Sequence, residues 1–289
     1  MLKIYTDTDT DITPEIANKY NVKLISMPYV TPEKVTYPYV DFEKFDHKAF
    51  YDTLRDGLLP STSALSPEEY KKYFEEEFKN GNDILYIHFS AAMTATFTFM
   101  EEALMELFEK YPDRKFYRID TKAITIGSYS IVRAIFDKLE ENLPVEELIK
   151  WANDQVNHYA TYFYADDLKF FKRSGRVSGI SATMGTLLGI KPIICIDENG
   201  VMKSIGKAKG RKGALTKLVD YVMTLGDDVA NYRITIGHAD LIEVAEKLGE
   251  MLKEKLGDNL QIDYVVVNPT AGSHCGPNTV GVSFHSIHR

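Results

Sequence analysis

The chain is organised around the stretch Val265-Val266-Val267-Asn268-Pro269-Thr270-Ala271-Gly272-Ser273-His274-Cys275-Gly276-Pro277. Its three valines are typical of a strand, and the two glycines and two prolines that follow predict a tight turn. A second apolar run over residues 279–284 begins almost at once. Folds often place rigid functional side chains in loops between strands, which makes His274 a candidate. A plain hairpin with a surface histidine is the alternative interpretation.

Outward from this stretch, the first half of the chain alternates strand and helix patterns. Residues 84–89 are a continuous apolar run typical of a buried strand, and residues 115–119 form the next strand pattern. A helical pattern follows each of them. Repeated strand–helix units predict a parallel sheet covered by helices on both faces.

The pattern changes near Tyr159, where a new strand begins. Residues 180–188 have a helical pattern, and Asp197-Glu198-Asn199-Gly200 predicts a hairpin turn. Because a hairpin adds antiparallel pairing, we expect the second sheet to be mixed. The sequence therefore predicts the α/β class with two domains, residues 1–158 with a mainly parallel sheet and residues 159–289 with a mixed sheet.

Composition limits the classes of function. The chain has 289 residues, of which 44% are hydrophobic and 26% charged, as is typical of a globular protein. The net charge of −8 argues against a nucleic-acid partner or an anionic membrane surface. The sequence has neither a signal-peptide core nor an apolar run of about 18 residues. We therefore expect no stable membrane insertion and a cytoplasmic location.

Two groups of hydroxyl side chains precede predicted helices. Thr62 and Ser63 lie in a run of hydroxyls that ends at Ser66, an expected helix N-cap. Thr94 follows the buried strand over residues 84–89. Hydroxyls at a helix start, or at the carboxyl end of a parallel strand, can bind an oxyanion. Ordinary helix capping with polar neighbours is the alternative.

Two aspartates follow the first strand pattern, over residues 2–5. Asp7 and Asp9 are spaced as in aspartyl-phosphate phosphotransferases of the haloacid dehalogenase type, where the first acid is the nucleophile and the second a general acid. The metal-binding acid pair of that superfamily should end a strand, but Asp227 and Asp228 follow a helical pattern. The sequence therefore favours a polar loop whose carboxylates accept backbone N–H groups, with no catalytic residue and no metal site.

Two basic segments lie in the second half of the chain. An apolar helical segment ends in a basic glycine turn that holds Arg173 and presents Arg176. A second cluster holds Lys207, Lys209 and Arg211, just before a predicted helix. Such a cluster can bind phosphate or contact a partner, although basic clusters are also typical of a solvated face.

Six short motifs stand out when the chain is read in order. They are Thr6-Asp7-Thr8, Thr62-Ser63-x-x-Ser66, Met93-Thr94-Ala95-Thr96-Phe97, Arg173-Ser174-Gly175-Arg176-Val177, Gly189-Ile190-Lys191-Pro192 and Gly272-Ser273-His274-Cys275-Gly276-Pro277. In this order they resemble the DegV family of bacterial fatty-acid-binding proteins, and the resemblance covers essentially the whole chain. It implies two α/β domains that clamp a long-chain fatty acid and present it to a separate fatty acid kinase. It implies a carrier rather than an enzyme, with the fatty acid as ligand and no cofactor.

The resemblance also assigns roles to individual residues. The implied ligand-binding residues are Thr62, Ser63, Thr94, Arg176 and His274. The implied kinase-docking residues are Arg173, Lys207, Lys209 and Arg211. The positions that depart from the usual family residues are Leu65, Ala95, Lys209 and Asn278. Lys209 keeps the charge of the usual arginine but loses its bidentate fork, which bears on the kinase partnership.

Two other classes of function remain open from the residues alone. One is a phosphotransferase or phosphatase that uses Asp7 and Asp9, and metal-dependent hydrolysis of a phosphoester would indicate it. The other is a regulatory module without a ligand, which would be indicated by purified protein that holds no small molecule.

Overall fold

The computed structural model describes residues 1–178 and 189–289. The helix predicted over residues 180–188 lies outside the described residues. In the first half, the elements are β1 (Leu2–Asp7), α1 (Pro14–Lys19), β2 (Val22–Ile25), β3 (Tyr29–Val30), β4 (Val35–Thr36), α2 (His47–Arg55), β5 (Ser61–Thr62), α3 (Pro67–Lys79), β6 (Asp83–His88), α4 (Thr96–Lys110), β7 (Phe116–Asp120), α5 (Ile126–Leu139) and α6 (Val145–Gln155). In the second half, they are β8 (Tyr159–Tyr164), α7 (Lys169–Ser174), β9 (Val177–Ser178), β10 (Ile190–Ile196), β11 (Met202–Lys209), α8 (Gly210–Leu225), β12 (Ile234–His238), α9 (Ile242–Leu256), β13 (Ile262–Val266), α10 (Pro269–Cys275) and β14 (Val280–His285).

The first sheet is parallel, as the strand–helix alternation predicted. Its strands lie in the order β2, β1, β6 and β7. In β6 every residue after Asp83 is buried, which explains the continuous apolar run. The loops that follow these strands meet at one edge of the sheet, where α/β proteins place their ligand sites.

A small antiparallel sheet forms in the segment between β2 and α3. Its strands lie in the order β4, β3 and β5, and α2 belongs to the same segment. Helix α10, from the far end of the chain, packs against β3, β5 and α2. The small sheet therefore brings the first half of the chain into contact with the C-terminal stretch.

The second sheet is mixed, as predicted. Its strands lie in the order β13, β12, β14, β8, β10, β11 and β9. Strands β12 and β13 are parallel, as are β11 and β9, whereas the remaining neighbours are antiparallel. The β10–β11 hairpin is closed by Asp197, whose Oδ1 accepts the N–H groups of Asn199 and Val201 at 3.0 and 2.9 Å.

Helix α5 connects the two halves of the chain. It belongs to the first half but packs against β8, β12 and β14 of the second sheet. A Cβ atom added at Gly237 in β12 would lie 2.2 Å from Cγ2 of Ile126, so the helix and the sheet are in close contact. The predicted boundary at residue 158 coincides with the start of β8, and it stays a prediction because α5 packs across it.

The tight turn predicted over residues 268–277 is wrong, because this segment begins with helix α10. The Asn268 side chain caps the helix and Pro269 occupies its first position, a favourable pair at a helix start. Gly276 ends the helix at φ 71, a left-handed conformation that favours glycine. The alternative of a hairpin with a surface histidine is wrong too, because His274 lines an internal cavity.

Candidate functional site

A cavity of about 290 Å³ is lined by residues from both halves of the chain. All five predicted ligand-binding residues, Thr62, Ser63, Thr94, Arg176 and His274, lie in its wall. Their role in binding stays a prediction, but the structure brings them to one place. The larger apolar side chains of the wall are Met27, Phe89, Met93, Ile124, Ile126, Phe163, Phe171, Ile196, Met202 and Val267.

The exposed polar residues of the wall mark where the cavity opens, whereas the polar residues Asp9, Thr96, Thr161, Thr270 and Thr279 are buried in it. Ser63 and Arg176 are exposed, and Thr62 is partly exposed. Phe89 and Ile126, in contrast, are buried. An amphiphile in this cavity would therefore keep its polar group at the mouth and bury its apolar part.

Thr62 and His274 form a hydrogen bond across the mouth. Thr62 ends β5, and its Oγ1 lies 2.9 Å from Nε2 of His274. Burial, together with the positive charges of Arg176 and Arg173, lowers the pKa of His274 to about 4. The imidazole is therefore neutral at pH 7, with one nitrogen that donates and one that accepts.

Thr94 also lines the cavity and forms a local hydrogen bond. It follows a 3-10 turn over Ala91–Met93, and its Oγ1 accepts the N–H of Thr96 at 3.1 Å. This bond uses a lone pair and leaves the Thr94 hydroxyl proton for an acceptor in the cavity. Thr96 Oγ1 in turn accepts the N–H of Leu65 at 3.1 Å, which ties the hydroxyl-rich loop to α4.

The two arginines of the basic glycine turn have different surroundings. Arg176 donates to the carbonyl of Ser174 and lines the mouth. Arg173 donates to the carbonyls of Leu59 and Pro60, just before β5. Arg173 thereby joins α7 to the segment that carries Thr62, so a structural role stands beside its predicted docking role.

The second basic cluster lies on the surface. Lys207 and Lys209 alternate along β11 and are exposed, and so is Arg211 at the start of α8. Arg211 forms an ion pair with Asp166 at 3.4 Å. These residues lie outside the cavity wall, and their kinase-docking role stays a prediction.

The last residue of β1 and the loop after it bury three carboxyl groups, those of Asp7, Asp9 and Asp11. Asp7 Oδ2 accepts the Phe89 N–H at 3.2 Å and the Tyr86 hydroxyl at 3.0 Å, as expected for a polar loop. Burial raises the pKa values of Asp7 and Asp11 to about 7. Asp7 is enclosed and does not line the cavity, a poor position for a nucleophile.

Sequence reasoning left other residues of the wall unassigned, among them Asp9, Gly237 and Gly281. Asp9 lines the cavity, although the sequence placed it in a polar loop or in a phosphotransferase site. Gly237 and Gly281 face each other across β12 and β14 and also line the cavity. A glycine inside a strand pattern marks a close approach of another group, and this signal could have identified both.

The described residues were also searched for membrane-spanning helices and for groups of metal ligands. Within residues 1–178 and 189–289, no helix is both long and apolar enough to cross a bilayer. In the same ranges, no three His, Cys, Asp or Glu side chains are grouped so that they could hold a metal ion.

Comparison with known proteins supports the family that the order of the motifs indicated. The model of the DegV family, described as uncharacterised proteins, matches residues 1–286. A DegV domain-containing protein of Clostridium perfringens is 33% identical over 282 residues, which cover 97% of this chain and 96% of that protein.

Solved structures share the whole fold. A stearic-acid-binding protein from Eubacterium ventriosum has a TM-score of 0.86 at 20% identity, over 98% of this chain and 97% of that chain. DegV from Bacillus subtilis, a fatty acid binding protein, has a TM-score of 0.81 at 23% identity, over 99% of each chain. The family match along almost all residues and the Clostridium relative together show that this chain belongs to the DegV family.

Proposed function

We propose that the protein binds one long-chain fatty acid, with the carboxylate at the polar mouth of the cavity and the tail in its apolar interior. The observation that carries this proposal is the Thr62–His274 hydrogen bond, which brings polar groups from both halves of the chain to the mouth. The relatives from Eubacterium ventriosum and Bacillus subtilis, described as binding stearic acid and fatty acid, support it.

The chemistry of the wall suits this ligand. A carboxylate is stabilised by several donors, which Thr62, Thr94 and Arg176 supply. Each buried methylene contributes about 0.8 kcal/mol, so a tail of about fourteen contributes roughly 11 kcal/mol before costs. Association costs of about 4–15 kcal/mol reduce this gain. Tight binding is consistent with these magnitudes.

The same proposal makes the protein a carrier and not an enzyme. It presents the carboxylate to a cytoplasmic fatty acid kinase, which forms the acyl phosphate. The exposure of Ser63 and Arg176 leaves the mouth open to such a partner. The enclosed position of Asp7 disfavours the alternative phosphotransferase.

Native mass spectrometry of the purified protein tests the binding step. We expect a mass increment that corresponds to one fatty acid for each chain. Delipidated protein should take up stearic acid at a single site. Protein that purifies without a small molecule and then fails to bind stearic acid would favour the ligand-free regulatory module instead.

The carrier step has its own test. A cognate fatty acid kinase with ATP should form acyl phosphate only when this protein is added. Phosphoester hydrolysis by the protein alone, abolished by Asp7→Asn, would contradict the carrier assignment.

A further inference from the structure

One face of the second sheet forms a long wall of the cavity. Neighbouring strands of this sheet each contribute a lining residue, which are Met202 in β11, Ile196 in β10, Phe163 in β8, Gly281 in β14 and Gly237 in β12. Because neighbouring strands lie about 4.7–4.9 Å apart, the four steps from β11 to β12 span about 19 Å. The cavity is therefore elongated and crosses the strands.

The two ends of this wall differ in their exposure. Met202 lies beside the mouth, because it pairs with Val177 of β9, the residue that follows the exposed Arg176. Gly237 lies at the other end of the wall, and both it and its cross-strand partner Gly281 are buried. A fatty acid with its carboxylate at the mouth therefore directs its methyl end toward Gly237.

Helix α10 runs along the cavity between the same two ends. The N–H of Val267 donates to the carbonyl of His238 at 3.0 Å, so α10 begins beside the Gly237 end of the wall. His274, at the mouth, follows Val267 by about 10 Å along the helix, at 1.5 Å per residue. The helix and the sheet therefore agree on which end is open and which is buried.

Ile126 occupies the buried end. A Cβ atom added at Gly237 would lie 2.2 Å from Cγ2 of Ile126, and one added at Gly281 would lie 3.2 Å from its Cδ1. All three residues line the cavity. Because neither glycine has a side chain, the space above their two paired strands is filled by Ile126 from α5. A tail that reaches this end meets the Ile126 side chain.

We infer that Ile126 sets the longest fatty acid that the cavity accepts, because the methyl end of the tail stops against its side chain. The inference rests on the proposed fatty-acid binding and adds the residue that determines chain length. An extended chain advances about 1.2 Å per bond, since the three backbone bonds of a residue span about 3.3–3.6 Å. A length of about 19 Å then holds about 16 bonds, as in a long-chain acid.

Titration of the delipidated protein with myristic, palmitic, stearic, arachidic and behenic acids tests this inference. Each methylene that becomes buried raises affinity about fourfold, so wild-type affinity should rise along the series and stop rising at one length. Ile126→Ala removes Cγ1, Cγ2 and Cδ1 and should move this limit to the next longer acid, which should then bind about tenfold more tightly than the acid before it.

Two further variants make the test specific. Ile126→Val removes only Cδ1, which keeps most of the packing on Gly237 and Gly281 and should give a smaller increase for the same acid. Met202→Ala is the matched control, because it also removes apolar atoms from the wall but at the mouth end. It should weaken binding at every length and leave the limit where it is.

The outcomes separate the inference from the proposed function. Wild-type affinity that keeps rising through behenic acid would overturn the inference, whether or not the variants fold. An unchanged limit in Ile126→Val, with a melting curve that shows folded protein, would overturn it as well, because the tail would then end elsewhere. Failure of wild type to bind any acid of the series would contradict the proposed function itself, and the inference with it.

Discussion

Oγ1 of Thr62 lies 2.9 Å from Nε2 of His274, although 212 residues separate them in sequence. The bond joins β5 of the small sheet to the last turn of α10. The mouth of the cavity is therefore assembled from distant segments, and its polar groups depend on the packing of α10 against β5.

Removal of the Thr62 hydroxyl should weaken fatty-acid binding. Thr62→Val keeps the shape and deletes the donor, and a hydrogen bond to a charged group contributes about 1.5–3 kcal/mol, or roughly ten- to hundredfold in affinity. Titration with stearic acid measures the loss. Thr53→Val is the control, because Thr53 bonds to the Phe50 carbonyl on α2 outside the cavity wall. Equal affinities of Thr62→Val and wild type would place the carboxylate elsewhere.

The pKa of the His274 imidazole should change when a fatty acid binds. In the free protein we expect it to titrate near pH 4, because burial disfavours its charged form. A nearby carboxylate stabilises the imidazolium, so fatty acid should raise this pKa. Proton NMR across pH reports both values, and His274→Gln assigns the signal. A titration that fatty acid leaves unchanged would remove His274 from the head-group site.

The buried acids should make stability fall as pH rises. Asp7 has an ordinary pKa of 3.8 and a folded-state pKa of about 7. Between these values the folded protein binds more protons than the unfolded chain, so this contribution to stability is lost as pH rises through about 7.

Asp7→Asn should therefore melt at a higher temperature, relative to wild type, at pH 7.5 than at pH 4. Comparison of two pH values cancels any pH-independent cost of the substitution. At about 2–4 °C per kcal/mol, the relative change should reach several degrees. Asp113→Asn, at an exposed position, is the control. If the difference in melting temperature between Asp7→Asn and wild type is the same at both pH values, the raised pKa of Asp7 is contradicted.

Charge reversal in the basic cluster on β11 and α8 should weaken association with the kinase and leave fatty-acid affinity unchanged. Changing Lys209 and Arg211 to Glu should slow association with an acidic kinase surface and flatten its salt dependence. Stearic-acid affinity should stay unchanged, because neither residue lines the cavity. A variant with Lys34 and Lys44 both changed to Glu is the charge-matched control, because both residues are exposed and lie outside the cavity wall. Unchanged acyl-phosphate formation at limiting carrier would leave these residues as a solvated face.

Gly237 should tolerate no side chain beside α5. Its Cβ would lie 2.2 Å from Cγ2 of Ile126, and overpacking of this kind costs about 1–3 kcal/mol. Denaturant unfolding of Gly237→Ala should show this loss, and Ile126→Ala in the same chain should recover part of it. Gly206→Ala is the matched control, because its Cβ would meet its nearest atom, Lys217 Nζ, only at 4.0 Å. Equal losses for both variants would contradict the steric explanation.

Local signals in the sequence predicted structure well. Ser66 caps α3 in a complete capping box with Glu69, because the two residues are three positions apart and need no distant partner. The start of α10 had a local signal too, in Asn268-Pro269, but the neighbouring glycines and Pro277 favoured a turn. For α10 the local signal for a helix start was present, and the error was to give the glycines and Pro277 more weight than Asn268-Pro269.

Non-local features could not be predicted in the same way. The sequence places Asp9 after a strand but does not show that a wall formed by distant segments encloses it. The packing of α5 on the second sheet likewise depends on strands made much later in the chain. The order of the motifs compensated in part for this, because the family resemblance assigned Thr62 and His274 to the same binding site without knowledge of their contact.

The position of α5 also bears on synthesis of the protein. A ribosome makes α5 well before β12 and β14, the strands that cover its apolar face. The nascent chain must therefore expose Ile126, which lies against Gly237 and Gly281, until those strands emerge. We expect chaperones to contact the growing chain mainly in this interval, and lipid loading to begin only after α10 has left the exit tunnel.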